Sequence, residues 1–326
     1  MKSYIQNKPN KIIIVWLAAA AWFLATGVKA DGWVIKAPMP TAESGAAVSS
    51  INDIIYVAGG QNKNGPLSTL QVYDPVQNSW WGMAPLPEPR YDGNGAGVIY
   101  NKLYLAGGWT VSPPRPHATL FVYDSQTNSW SQKANMPHLS ACGITGQIDG
   151  KLYVTTACDG NAGFRNWLDV YDPQTDLWTS LTPSASAHSE PGAGVIHGKL
   201  YVAGGQDANA KIIRTLEVYD PMTDKWVSMA PMPLGVVSPG SMVLNGMLYI
   251  MGGKTASGAL TNQVQRYIPA KNKWERWSYN TGLKMPTARY KLGVGVAYGV
   301  GFALGGTRPT ATLGRNEALF KCPEIP

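Results

Sequence analysis

Tyr73, Tyr123, Tyr171, Tyr219 and Tyr267 stand 50, 48, 48 and 48 residues apart, and Trp80, Trp130, Trp178, Trp226 and Trp274 each follow by seven. A two-aromatic spacing kept over five copies marks a repeat array. A unit of this length is one supersecondary element that buries its apolar face only against its neighbours. Upstream of each Tyr a hydrophobic segment ends in a glycine pair: Gly59-Gly60, Gly107-Gly108, Gly204-Gly205 and Gly252-Gly253. Gly305-Gly306 opens a sixth unit, and Ala157-Cys158 takes the place of the pair in a degenerate third one.

Within a unit the order is a small-residue strand such as Gly97-Val98-Ile99-Tyr100, a two-residue turn, and a hydrophobic strand such as Leu103-Tyr104-Leu105-Ala106. A variable loop, an alternating strand such as Leu120-Phe121-Val122-Tyr123, and a fourth strand carrying the Trp complete it. The pattern predicts a four-stranded antiparallel blade. Asp149-Gly150, His197-Gly198 and Asn245-Gly246 suit the positive φ of tight hairpins, and Asp-Pro at 74-75, 172-173 and 220-221 opens the next turn. Burying one Trp removes about 150–250 Å² from water, worth at most roughly 4–6 kcal/mol. The in-register aromatics therefore read as scaffold, and Trp81 and Trp109, outside the register, stay open to a binding role.

These residues give the chain its resemblance to the kelch-repeat β-propeller family, whose blades carry Gly-Gly, Tyr and Trp at this spacing, from about Trp33 to Phe320. The fold expected is all-β, a six-bladed propeller of four-stranded antiparallel blades. The sixth unit supplies its topology: counting from Gly306 puts Phe320 in the Tyr position, and the matching Trp would fall past the end of the sequence. Trp33 precedes Pro40 by seven, the interval from Trp80 to Pro87 and from Trp226 to Pro233, so the N-terminal strand is expected to complete blade six. Ring closure removes exposed sheet edges.

Residues 1–30 read as a separate unit. Lys2, Lys8 and Lys11 precede an apolar run from Ile12 to about Val28, and Val28-Lys29-Ala30 resembles an export-signal cleavage site. The propeller is then residues 31–326, secreted or periplasmic; if the segment stays uncleaved, it is a membrane anchor with the propeller outside the cytoplasm. The first thirty residues hold four lysines and no acid, so the formal charge falls from +7 to 23 − 20 = +3 without them. No block of five or more like charges appears along the sequence to support a nucleic-acid role. Charged residues are 14% of the chain, against about 25% in an ordinary soluble domain, as suits sheets packed on aromatics. Cys142 and Cys158 flank the Asp149-Gly150 turn. In a regular hairpin Cys158 falls opposite Ala141, which sends the two thiols to opposite faces and forbids a disulfide unless a bulge intervenes. Cys322 has no partner assignable from sequence.

Functional residues are expected where the loops from fourth to first strand and from second to third strand gather at one mouth of the axial channel. The first class offers Glu43, Ser44, Arg90, Tyr91, Asp92, His138, Ser140, His188, Glu190, Arg289, Tyr290 and Lys291. Arg90 and Arg289 stand where peptide-binding kelch domains carry pocket arginines, and the resemblance implies an anion-contacting role for them. The second class offers Gln61, Trp109, Asp159, Arg165, Gln206, Lys254 and Arg308. The ligand-binding set is read as Arg90, Tyr91, Asp92, Trp109, Asp159, Arg165, Arg289, Tyr290 and Lys291. Four histidines without metal-ligand spacing predict no zinc or copper site and no cofactor. The function expected is an exported, monomeric binding scaffold for a protein, peptide or glycan. The alternative is a periplasmic sugar isomerase similar to the kelch propellers that act on sialic acid, for which Glu43, His188, Glu190 and Arg289 would supply acid–base and carboxylate-binding groups.

Overall fold

The computed structural model describes residues 31–92, 95–111, 114–161, 163–275 and 284–321; the proposed signal segment and Cys322 lie outside them. Six four-stranded antiparallel sheets follow one another around a ring. Blade one, for example, runs Ala47–Ile51, Ile54–Ala58, Leu70–Asp74 and Ser79–Gly82. Blade six takes Gly293–Ala297, Val300–Leu304 and Asn316–Lys321 from the C-terminal end, and Asp31–Ile35 pairs onto its outer edge as the fourth strand. The expected closure is therefore observed. Its register differs by one residue: Trp33 lies opposite Leu319, as Trp80 lies opposite Tyr73, so Leu319 and not Phe320 holds the Tyr position. Leu319 follows Gly305 by fourteen, as Tyr73 follows Gly59, whereas Tyr219 and Tyr267 lie fourteen beyond the second glycines Gly205 and Gly253, so the loop length varies and a count from the glycine pair does not fix the register.

The tight turns between first and second strands place both residues at positive φ, as at Asn52-Asp53, Tyr100-Asn101 and Asp149-Gly150. That hand of turn matches the twist of the flanking strands. In blade two the turn starts at Tyr100, one residue before the expected place, and the first strand is Ala96–Ile99.

Each repeated aromatic joins neighbouring blades. Trp80, Trp130, Trp178, Trp226 and Trp274 donate Nε1–H, all at 2.8 Å, to the carbonyls of Ala37, Ala84, Ala134, Thr182 and Ala230 in the loop leaving the preceding blade. The buried Tyr hydroxyls donate to the side chain five residues on, as Tyr73 does to Asn78 at 2.7 Å and Tyr171 to Asp176 at 2.6 Å. The same Asn or Asp oxygen accepts a backbone N–H from the preceding blade, such as Ala37 N to Asn78 at 2.9 Å. A buried ring with a satisfied polar tip is what inter-blade packing needs, and all five Tyr are 1% exposed or less.

The glycine pairs work at the inner edge. Gly60 donates its N–H to Arg90 O at 2.7 Å, and Gly253 does so to Arg289 O at 2.9 Å. A Cβ on Gly59, whose φ is +69°, would stand 2.5 Å from Arg90 O. Only glycine allows backbones to approach this closely in that conformation.

Candidate functional site

Each loop entering a first strand follows a two-residue alternation that sorts the candidate residues into layers. The lower layer is Glu43, Arg90, Ser140, His188, Val236 and Arg289, all buried. The next residue in each blade bridges to the second-to-third-strand loop: Ser44 to Gln61, Tyr91 to Trp109, Ala141 to Cys158, Ser189 to Gln206, Val237 to Lys254 and Tyr290 to Thr307. The residue after that is Gly45, Asp92, Cys142, Glu190, Ser238 or Lys291, and all six have φ between 45° and 65°.

Those six residues form a closed cycle of backbone hydrogen bonds around the propeller axis. Asp92 N donates to Gly45 O, Cys142 N to Asp92 O, Glu190 N to Cys142 O, Ser238 N to Glu190 O, Lys291 N to Ser238 O, and Gly45 N to Lys291 O, all between 2.6 and 3.0 Å. The left-handed conformation costs a non-glycine residue about 1 kcal/mol or more. It persists because it aims each N–H and C=O at a different neighbouring blade. Gly45 is a ring member for a second reason, since a Cβ there would collide with the Asp92 carboxylate.

Blades two, four and six carry the charged members. Lys291 Nζ pairs closely with Asp92 Oδ2 and lies 3.5 Å from Glu190 Oε1, so its side chain spans the ring. Ser238 Oγ donates to Glu190 Oε2. Burial pushes the Asp92 pKa up to about 6, with the Glu190 charge adding and Lys291 opposing. Burial works against the Lys291 charge, but Asp92 and Glu190 outweigh it and hold the ammonium above the ordinary lysine range. Removing the ammonium leaves two carboxylates facing each other across the axis. Lys291→Met is expected to lose about 2 kcal/mol at pH 7.5 and to recover part of it by pH 5. The sign follows from linkage: an acid with a raised folded pKa binds protons more tightly when folded, so stability falls as pH rises through the window from about 4 to 6. Chemical denaturation of wild type and variant at both pH values measures it; an equal deficit at each would remove the charged triad from the explanation.

The lower layer is occupied. Arg289 Nη1 bonds Glu317 Oε2 at 2.6 Å and Nη2 bonds Ala303 O at 2.9 Å, and both side chains are 0% exposed. His188 bonds Gly204 O and Glu217 Oε2, each at 2.8 Å. Arg90 pairs with Glu88 at 2.5 Å beside the Phe121 ring. Glu43 accepts from Thr69 Oγ1 at 3.1 Å, and burial raises its pKa to about 8. Arg90 and Arg289, read as anion contacts at the mouth, have their guanidinium groups engaged within the protein, by Glu88 and Thr119 and by Glu317 and Ala303. Of Glu43, His188, Glu190 and Arg289, read as one acid–base set, only Glu190 lies in the ring. Glu217 and Glu317, two residues before the Tyr position, are partners outside the loops expected from sequence; Gln71, Asp169 and Gln265 repeat that polar position in a strand otherwise apolar, which is the signal the sequence carries.

Cys142 and Cys158 form a disulfide with Cα atoms 5.6 Å apart, within the usual range. Cys158 pairs opposite Ala141, as the hairpin count requires. The expectation of opposed thiols fails because Cys142 has φ 60°, which breaks the strand alternation and turns its side chain back. The degenerate third blade thus ties the loop after its second strand to the ring. Half-buried Trp109 donates to Cys142 Sγ at 3.3 Å, with Phe164 in the same cluster. Asp159 closes its own loop. Against the cost of burial, bonds from Asn161 and from Arg165 at 2.8 Å hold its carboxyl below the usual range. Tyr91 and Tyr290 are half-buried in the bridging layer.

Among the described residues no group of three or more His, Cys, Asp or Glu is placed to hold a metal ion, and no helix is long and apolar enough to cross a membrane. A cleft of about 450 Å³ opens on the opposite face between blades two and three, lined by Tyr100, Ser131, Lys133 and Gln174 among others.

The family model of the Attractin/LZTR1 β-propeller matches residues 55–307. Kelch-like protein 36 of Rattus norvegicus is 35% identical over 107 residues, which are 32% of this chain and 17% of that protein. Kelch-like ECH-associated protein 1A of Danio rerio is 36% identical over 104 residues, 31% of this chain and 17% of its own length. The matches thus span about a sixth of these relatives. The solved structure of YjhT superposes with a TM-score of 0.76 over 89% of this chain and 98% of that one, at 18% identity, a likeness of fold alone.

Proposed function

Because the chain belongs to the Attractin/LZTR1 β-propeller family of kelch-repeat rings, we propose that it is an exported interaction module whose protein partner docks on the face carrying the six-residue ring and the second-to-third-strand loops. The observation that carries this reading is the state of the mouth. Lys291, Asp92 and Glu190 span the axis, and beneath them Arg289 and His188 are each committed to a buried carboxylate. A spanned mouth with committed acid–base groups favours recognition by loops over turnover in a cavity. Sugar isomerisation would need those same groups free, so no observation here favours it. One relative, the ECH-associated protein, is named for association with another protein, which fits the interaction reading.

Export rests on the lysine-flanked apolar run of residues 1–30 and on the Cys142–Cys158 disulfide, a bond that persists in oxidising compartments. N-terminal sequencing of the purified protein is expected to begin at Asp31; a chain beginning at Met1 in the cytoplasmic fraction would overturn export. The docking face is tested by placing a photo-crosslinking amino acid at Thr310 or Ser257 on the mouth-face loops, and at Met222 or Tyr298 on the opposite face, in the full chain expressed in its own host. Protein adducts are expected from the mouth positions only, and adducts confined to Met222 or Tyr298 would overturn the assignment.

A further inference from the structure

The mouth face carries a charge pattern that the ring does not explain. All six loops joining second to third strands bring at least one cation: Lys63, Arg115, Arg165, Lys211, Lys254 and Arg308, in chain order of the blades. Blades four and six add Arg214 and Arg315, and the only acids in the six loops are Asp159 and Asp207, so these loops hold eight bases against two acids. After residue 30 the chain has 23 bases and 20 acids. The rest of the propeller is therefore negative, at 15 bases against 18 acids, and the positive charge is concentrated on one rim.

The two faces also differ in how their cations are used. On the opposite face Lys102, Lys151 and Lys199 pair with Asp124, Asp172 and Asp220 at 2.9, 2.9 and 2.7 Å. On the rim Lys63, Arg115, Lys211, Lys254 and Arg308 are exposed and make no ion pair among the described residues. Asp207 is turned to its own loop, accepting the backbone N–H groups of Asn209 and Lys211. Asp159 neutralises Arg165 alone. Unpaired like charges on five separate loops repel one another and contribute nothing to folding, whereas they steer and hold an oppositely charged surface.

We propose that this rim is the recognition surface for a folded partner with an acidic face. The inference deepens, and rests on, the docking reading above. The folded state of the partner follows from geometry. The cations lie on an annulus around a mouth already spanned by Lys291, so no extended segment can meet them by threading the axis. A flexible acidic chain would lose conformational entropy in bending around six blades, while a rigid acidic face meets several cations at once.

The test uses the chain from residue 31 onward, a negatively supercharged folded β-barrel protein as probe, and poly-L-glutamate as the unfolded counterpart. The rim variant Lys63→Glu/Lys254→Glu/Arg308→Glu is compared with Lys225→Glu/Lys271→Glu/Lys273→Glu on the opposite face. Both sets change the net charge by the same amount, and all six residues are exposed; melting temperatures check that each variant folds, and Lys→Gln and Arg→Gln versions repeat the comparison with half the charge change. The rim variant is expected to slow association with the folded probe at low salt by about tenfold or more and to flatten its salt dependence, with the opposite-face variant within about twofold of wild type. An equal loss in both variants, or no binding of the folded probe by the wild type at low salt, would overturn the proposal. Tighter binding of poly-L-glutamate than of the folded probe would overturn the folded partner in favour of an unfolded acidic one. Mouth-face cross-links without a rim-charge effect would leave the docking face standing and remove only its acidic partner.

Discussion

A chain lacking residues 31–40 is expected to melt roughly 8–12 °C below the 31–326 propeller, corresponding to a loss of about 4 kcal/mol. The segment contributes the whole outer strand of blade six, with five residues paired from Asp31–Lys321 to Ile35–Glu317. Beyond the strand, Lys36 N bonds Asn316 O and Met39 N bonds Gly314 O, both at 2.9 Å. Met39 is 5% exposed in a cluster shared with Tyr73 and Phe302, so its loss alone opens a cavity between blades one and six. Ala37 O accepts from Trp80 Nε1 at 2.8 Å and from Asn316 Nδ2 at 3.2 Å, and both donors would lose that partner. The strand Asn316–Lys321 would become an exposed edge open to pairing with another chain. Thermal unfolding followed by circular dichroism measures the shift. A truncated chain melting within about 2 °C of the intact propeller would show that closure adds little to stability.

Arg289→Met is expected to destabilise the propeller by about 3–5 kcal/mol. Arg289 and Glu317 are both fully buried, and burial pulls the guanidinium pKa below its ordinary value while Glu317 opposes that pull. Removing the arginine leaves the Glu317 carboxylate with Thr287 Oγ1, at 2.6 Å, as its side-chain partner among the described residues. Glu317→Gln in the same chain removes the stranded charge and is expected to restore all but about 1–2 kcal/mol. Arg90 provides an internal comparison at the equivalent position of blade two. Its partner Glu88 is 53% exposed and remains solvated when the arginine is removed, so Arg90→Met is expected to cost about 1 kcal/mol. Urea denaturation midpoints of the four chains distinguish the cases. Equal costs for Arg289→Met and Arg90→Met, or no recovery in the double variant, would contradict the buried-pair account. The same result bears on function, because weaker binding by an Arg289 variant would report a loosened blade six before it reported a lost ligand contact.

The candidate site was legible in part. Asp92, Glu190 and Lys291 stood in the correct loops, and the resemblance drew attention to arginines two residues away that point elsewhere. Loop position alone does not distinguish a residue buried in its own blade from one facing the axis, since two residues of chain separate Arg289 from Lys291. Cys142 shows the same limit. The count across the hairpin correctly set Cys158 opposite Ala141, and the rule that side chains alternate along a strand then excluded a bond that the structure contains.

From the sequence alone follow the number of blades, the strand order within each, the closing strand around Trp33, and the scaffold role of the Tyr and Trp residues. All of these are written in local periodicities that each unit repeats. What tertiary structure alone decided is the one-residue register of blade six, the disulfide, and the ring of Gly45, Asp92, Cys142, Glu190, Ser238 and Lys291. The reason is physical: these residues hold left-handed conformations because hydrogen bonds from neighbouring blades keep them there, and the bond from Gly45 N to Lys291 O that closes the cycle joins the first blade to the sixth. No local pattern encodes a constraint that exists only once the ring has closed.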